Sequence, residues 1–208
     1  MAYKNFIIRS LVGFLILFVY SITLIINYNL IFYLIIFLYL IIFVEINLFF
    51  KNKRTLILIY LLTSLFFFIN IGFNKDNIYN FNFMILIIIT FDIFSYLIGT
   101  KYGSTKILKT ISPKKTLEGL VGGIIFSLLF SISLMILFKN EINLSIILFI
   151  LIIIFSSFTG DIIESYFKRI NNLKNSSNFL PGHGGFFDRF DSLIFSMIPY
   201  TFFSNILL

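Results

Sequence analysis

Seven apolar runs, each close to the length of a bilayer-crossing helix, follow one another through this 208-residue chain. They cover residues 7–26, 30–50, 56–73, 81–98, 120–138, 144–167 and the shorter 192–208. A hydrocarbon core about 30 Å thick takes roughly 20 residues of helix. Within lipid a backbone N–H or C=O finds no water, so only helices or closed barrels can span. The runs are continuous rather than alternating, which excludes a barrel. The expected fold is therefore all-α: a polytopic membrane bundle of about seven transmembrane helices, with no room for a soluble domain.

Charge is correspondingly scarce, at 12% of residues, where soluble domains carry about 25%. There is no cysteine and one histidine, which removes disulfides, thiolate nucleophiles and iron–sulfur clusters and makes a zinc site improbable. Lys4 and Arg9 flank the first run as in a signal peptide. No small-residue cleavage site follows, so a retained first helix is expected.

The connections sort by charge. The N-terminus and the segments 51–55, 99–119 and 168–191 hold 14 of the 16 basic residues; Lys75 and Lys139 alone fall on the other side. The positive-inside rule puts the N-terminus and both long loops in the cytoplasm. An excess of this kind also suits anionic headgroups, and nothing in it suggests a nucleic-acid partner. It does not explain two loops of about 20 residues, a length that in compact proteins is usually functional. The natural division is residues 1–80, N-terminal helices, and residues 81–208, a C-terminal transmembrane region with cytoplasmic loops 99–119 and 168–191, where any catalytic function is expected to sit.

Acids recur where these loops meet the spans. Ser157, Asp161, Glu164, Ser165 and Lys168 form one stripe of the sixth span; Asp92, Ser95, Tyr96 and Gly99 form another on the fourth; Asp188 and Asp191 open the last. A carboxylate facing lipid costs about 2.5–3.5 kcal/mol on insertion scales, so these acids should face inward and converge if their helices are neighbours. Converging carboxylates without cysteine suit a hard divalent cation, Mg²⁺ first. Gly182, Gly184 and Gly185 let a backbone approach an anion at a helix start, and Ser112, Lys114, Lys115 and Thr116 offer ammoniums and hydroxyls. His183 is either a general base or a loop anchor, and Glu45, inside the second span, either closes a helix–helix hydrogen bond or reaches the site.

One stretch is more specific. Ser165-Tyr-Phe-Lys168-Arg169, then Lys174-Asn175, then Leu180-Pro-Gly-His-Gly-Gly-Phe-Phe-Asp188-Arg189-Phe-Asp191 resembles the signature of phosphatidate cytidylyltransferases, the CDP-diacylglycerol synthases, with its spacing kept over 27 residues. Asp92-Ile-Phe-Ser-Tyr-Leu-Ile-Gly99, Gly160-Asp161 and Ser112-Pro-Lys-Lys-Thr-Leu-Glu-Gly119 are similar to further stretches of that family. The likeness runs from about Asp92 to the C-terminus. The chain is shorter than typical members, as if N-terminal spans were missing, and Asn175 stands where the signature has Asp.

The resemblance implies CTP and phosphatidate as substrates, CDP-diacylglycerol and pyrophosphate as products, and a bacterial-type inner membrane with the site facing the cytoplasm. It implies Asp161 and Asp188 as Mg²⁺ ligands with Asp92 and Asp191 beside them. Lys168, Arg169, Lys174 and Arg189 would neutralise phosphates. Ser112, Lys114, Lys115 and Thr116, with His183, Gly184 and Gly185, would contact substrate. A second, monovalent cation and a homodimer are left open; Gly119, Gly122 and Gly123 would serve either a dimer seam or internal packing.

Other readings compete. A CTP-dependent polyprenol kinase shares the setting but releases CDP. A CDP-alcohol phosphotransferase would carry an Asp-Gly…Ala-Arg…Gly…Asp…Asp pattern, which is absent. An ion-coupled transporter would place acids at the midplane and show repeated halves, which this chain does not. A degenerate, inactive homologue is the reading that Asn175 invites.

Overall fold

The structure, a computed structural model, describes residues 2–71, 75–138, 142–182 and 184–203, without the side chains of residues 2–10, 75 and 76. His183 and the end of the last run therefore lie outside the described residues. So do the side chains of Lys4, Arg9 and Lys75, and all of Lys139. Seven helices appear in the expected order: α1 Ala2–Ile26, α2 Leu30–Phe49, α3 Arg54–Ile71, α4 Lys75–Tyr102, α5 Leu117–Leu137, α6 Leu144–Ile170 and α7 Phe187–Phe203. Among the described residues, α2, α3, α4, α5 and α6 are long and apolar enough to cross a membrane; the apolar part of α1, Leu11–Ile26, is shorter. The chain is an integral membrane protein of the all-α class.

Burial follows the bilayer logic. Ile150, Ile153 and Ile154 of α6, Ile31 and Ile46 of α2, Ile57 and Phe68 of α3 and Met197 and Tyr200 of α7 are fully buried. Tyr33, Phe37, Phe66, Leu129 and Leu137 are exposed, as befits side chains that meet lipid rather than water. Because lipid offers no hydrophobic drive between helices, small residues and polar ties must hold them. A Cβ on Gly122 would fall 2.4 Å from Ile98 Cδ1, and one on Gly123 2.9 Å from Phe91 and Ser95. These glycines thus serve the close approach of α4 and α5 within the chain. Tyr39 of α2 hydrogen-bonds Ser64 of α3 at 2.6 Å, and the Ser64 hydroxyl donates to the Ile194 carbonyl of α7.

The segment expected as a loop over 99–119 is more ordered than its sequence suggests. α4 continues to Tyr102, and β1 Lys106–Leu108 pairs antiparallel with β2 Ser112–Thr116. Ser-Pro-Lys-Lys-Thr has no apolar alternation, so it carries no strand signal of its own. It is held by its surroundings: Leu117 N–H donates to Thr105 O at 2.9 Å, and the Glu118 carboxylate accepts from the N–H groups of Ser104 and Thr105. Thr116 caps α5, accepting from Gly119 N–H at 3.2 Å.

The turn between α2 and α3 lies on the same side as this hairpin and the α6–α7 segment. Asn171 Oδ1 accepts from Lys51 N–H at 2.8 Å and Asn52 N–H at 2.7 Å. Arg169 donates to the Ile111 carbonyl at the hairpin tip and, through Nη1, to Leu173 O. The basic segments thus gather at one end of the bundle.

Candidate active site

α6 and α7 touch at Gly160, where a Cβ would fall 2.6 Å from Asp191 O and 3.1 Å from Ser192 Cα. That close approach brings the acidic stripe of α6 against the first turns of α7. One carboxylate oxygen each from Asp161, Glu164 and Asp191 lie within 4.8 Å of one another. Glu164 and Asp191 are buried, and Glu164 Oε1 has no hydrogen-bond partner. Ser165 donates to Asp161 Oδ1 at 3.4 Å. Asp92, on α4, receives a 3.4 Å hydrogen bond from Ser157 and faces the same space.

Two ammoniums oppose these charges. Lys168 Nζ lies 2.7 Å from Glu164 Oε2 and 2.6 Å from Asp188 Oδ1. Lys115 reaches in from β2, with Nζ 2.7 Å from Asp161 Oδ2 and 4.4 Å from the centre of the Phe158 ring. Phe158 thus seats the ammonium by a cation–π contact.

The acids and lysines line a cavity of ≈ 510 Å³. Its walls include Asp92, Asp161, Glu164, Lys168, Asp188, Arg189 and Asp191, with Ser112, Lys114, Lys115 and Thr116 from the hairpin and Asn175 from the α6–α7 segment. Phe91, Leu120 and Phe158 add an apolar side. Most residues singled out in the sequence come together here.

Four do not. Arg169 is engaged with the backbone carbonyls of Ile111 and Leu173, and Lys174 is exposed away from the cavity wall. Gly184, at φ +94°, forms a two-way backbone bridge with Leu180. Gly185 N–H donates to Asp188 Oδ2 at 3.0 Å. Of these two glycine amides, Gly184 N–H thus meets the Leu180 carbonyl and Gly185 N–H the Asp188 carboxylate.

That explains the position of Asp188. Its Oδ2 also accepts from Ser176 N–H at 2.8 Å, so both oxygens are engaged. The Gly185–Asp188 bond closes the turn that leads into α7. Asp188 shapes the loop and holds Lys168, while Glu164 occupies the third corner of the acidic cluster. Sequence reading had Glu164 in the polar stripe but gave it no role; its i+3 spacing from Asp161 was the signal.

An all-oxygen donor set with an orphaned, buried carboxylate oxygen fits a hard divalent cation. Asp161, Glu164 and Asp191 could hold one, with room in the cavity for further ligands.

The fold and this site define a polytopic membrane protein with an acidic, lysine-flanked cavity at one end of its bundle. Residues 2–207 match the model of the Cytidylyltransferase family, and the chain belongs to that family. It is 39% identical over 153 residues to a phosphatidate cytidylyltransferase of Aquifex aeolicus, covering 73% of this chain and 56% of that protein. It is 39% identical over 137 residues to one of Staphylococcus haemolyticus, covering 62% and 52%. An uncharacterized protein of Escherichia coli, YnbB, is 42% identical over 112 residues, covering 54% and 38%. The chain spans about half the length of the curated relatives it matches.

Proposed function

We propose that this protein transfers the cytidylyl group of CTP to phosphatidate, giving CDP-diacylglycerol and pyrophosphate. The observation that carries the proposal is the cavity in which three carboxylates converge opposite Lys115 and Lys168. The named relatives support the choice of substrates.

In this reaction a phosphatidate oxygen attacks the α-phosphorus of CTP, and the bond from that phosphorus to the bridging oxygen of pyrophosphate breaks. A phosphate monoester is largely dianionic near neutral pH, so no protein base is required. The difficulty is repulsion between two polyanions, and positioned positive charge is the remedy. Lys114, Lys115, Lys168 and Arg189 supply it from the walls. Asp188 orients Lys168, and Ser112 and Thr116 offer hydroxyls. Asp161, Glu164 and Asp191, with Asp92 opposite, would hold Mg²⁺, which supplies Lewis-acid charge neutralisation. A monovalent cation beside Asp92 is compatible with the same oxygen-rich wall.

The phosphatidate acyl chains would lie among apolar helix faces while the headgroup stays at the interface, within reach of soluble CTP. This requires the hairpin, the 51–53 turn and the α6–α7 segment to face the cytoplasm of a bacterial-type plasma membrane, with the N-terminus on that side. The grouped basic residues support that orientation.

The test is the fate of label from CTP. Purified protein given phosphatidate, Mg²⁺ and α-³²P-CTP should place the label in lipid, and γ-³²P-CTP should place none there. Lipid labelled from the γ position, with a polyprenol as acceptor, would favour the kinase reading instead.

A further inference from the structure

We infer that Glu45, in the second helix and outside the cavity, is a positioning residue for the cytidylyl transfer proposed above, acting through Asp188 and Asp191. The inference rests on that reading for its reaction, but its geometry stands apart from it. Glu45 is completely buried near the end of α2. Its Oε2 accepts from Phe186 N–H at 2.9 Å and from Phe187 N–H at 3.2 Å.

Those amides open α7, where the first N–H groups of a helix have no intrahelical acceptor. The local sequence, Gly-Gly-Phe-Phe, supplies no capping side chain there. The acceptor comes instead from a helix 141 residues away in sequence. A carboxylate is suited to the positive end of the α7 dipole.

The neighbouring glycine is shaped around this contact. A Cβ on Gly185 would fall 1.8 Å from Glu45 Oε1 and 2.1 Å from Ser176 Oγ. Beside it, Phe50 meets Phe187 edge-on at 5.8 Å. At the other end of the segment, Asn171 takes the amides of Lys51 and Asn52. α2 and its following turn therefore hold both ends of the stretch between α6 and α7. That hold sets the start of α7, hence the reach of Asp188 to Lys168 and of Asp191 to Asp161 and Glu164.

The experiment compares wild type with Glu45→Gln, Glu45→Leu and Glu45→Asp in detergent. It reads kcat and KM for CTP per folded molecule, and Mn²⁺ affinity by paramagnetic resonance without substrates. Glu45→Gln keeps an oxygen for both amides and should stay within a few-fold of wild type. Glu45→Leu keeps the bulk but strands the amides; kcat should fall by about 100-fold at little-changed KM, the size of effect that a displacement of about 1 Å produces. Mn²⁺ affinity should fall about tenfold, as when other supports of metal ligands are removed.

If Glu45→Leu does not fold, Glu45→Asp withdraws the carboxylate by one methylene and should show the same split. Wild-type kcat and Mn²⁺ affinity in a folded Leu or Asp variant would overturn the inference, as would a Gln variant no better than Leu. Absence of cytidylyl transfer in wild type would remove the proposed function, while the Mn²⁺ comparison would still decide whether Glu45 positions the acids.

Discussion

Lys168 and Asp188 form an ion pair of 2.6 Å across the junction of α6 with α7. Twenty residues apart in sequence, they are brought together because Asp188 is fixed by Ser176 and Gly185 amides while Lys168 is fixed by Glu164. The lysine thus presents its charge at the cavity wall in a set direction. Replacing it with Met should lower turnover by about 10²–10³-fold, the usual loss when a preorganised charge-stabilising group is removed. Steady-state kinetics on folded protein would check this.

Lys115 competes for the oxygen a cation would use. Its Nζ lies 2.7 Å from Asp161 Oδ2. Lys115→Met should therefore bind Mn²⁺ more tightly without nucleotide, by about three- to fivefold, an effect of about 0.7–1 kcal/mol for a partly exposed pair. The same variant should need more CTP to reach half-maximal rate, since an ammonium for the triphosphate is gone. A metal titration beside a CTP dependence separates the two effects.

Asn175 stands where the family signature has an acid, on the cavity wall. The carboxylates that converge are nevertheless those of Asp161, Glu164 and Asp191, and this position is not among them. Asn175→Asp should accordingly change turnover by less than about threefold, under 1 kcal/mol in activation free energy. A gain of a hundredfold would mean that the cluster lacks a necessary ligand.

The glycines of α5 give a stability prediction. Gly123→Leu must displace Phe91 or Ser95, and overpacking of this kind costs about 1–3 kcal/mol. Thermal unfolding in detergent should show a lowered midpoint.

Length and periodicity made the seven helices legible, because a bilayer demands long apolar runs and tolerates few charges. The acidic stripe of α6 was legible for the same reason: Asp161, Glu164 and Lys168 recur on one helical face. Two things were not. The β1–β2 hairpin depends on tertiary hydrogen bonds to Glu118 and Arg169 rather than on its own residues. The different duties of Asp188 and Glu164 depend on which N–H groups reach each carboxylate, and amides leave no trace in the sequence. Glu45 stood out as a buried acid, yet its partners are backbone groups of a distant helix.

The most direct test of the account is pyrophosphate release by the purified protein with CTP, phosphatidate and Mg²⁺, each omitted in turn, beside the Glu164→Gln variant. The account predicts release that requires all three and falls at least about 100-fold in the variant, whose cluster has lost one anionic corner. Release that persists without Mg²⁺, or a folded Glu164→Gln protein as active as wild type, would contradict it.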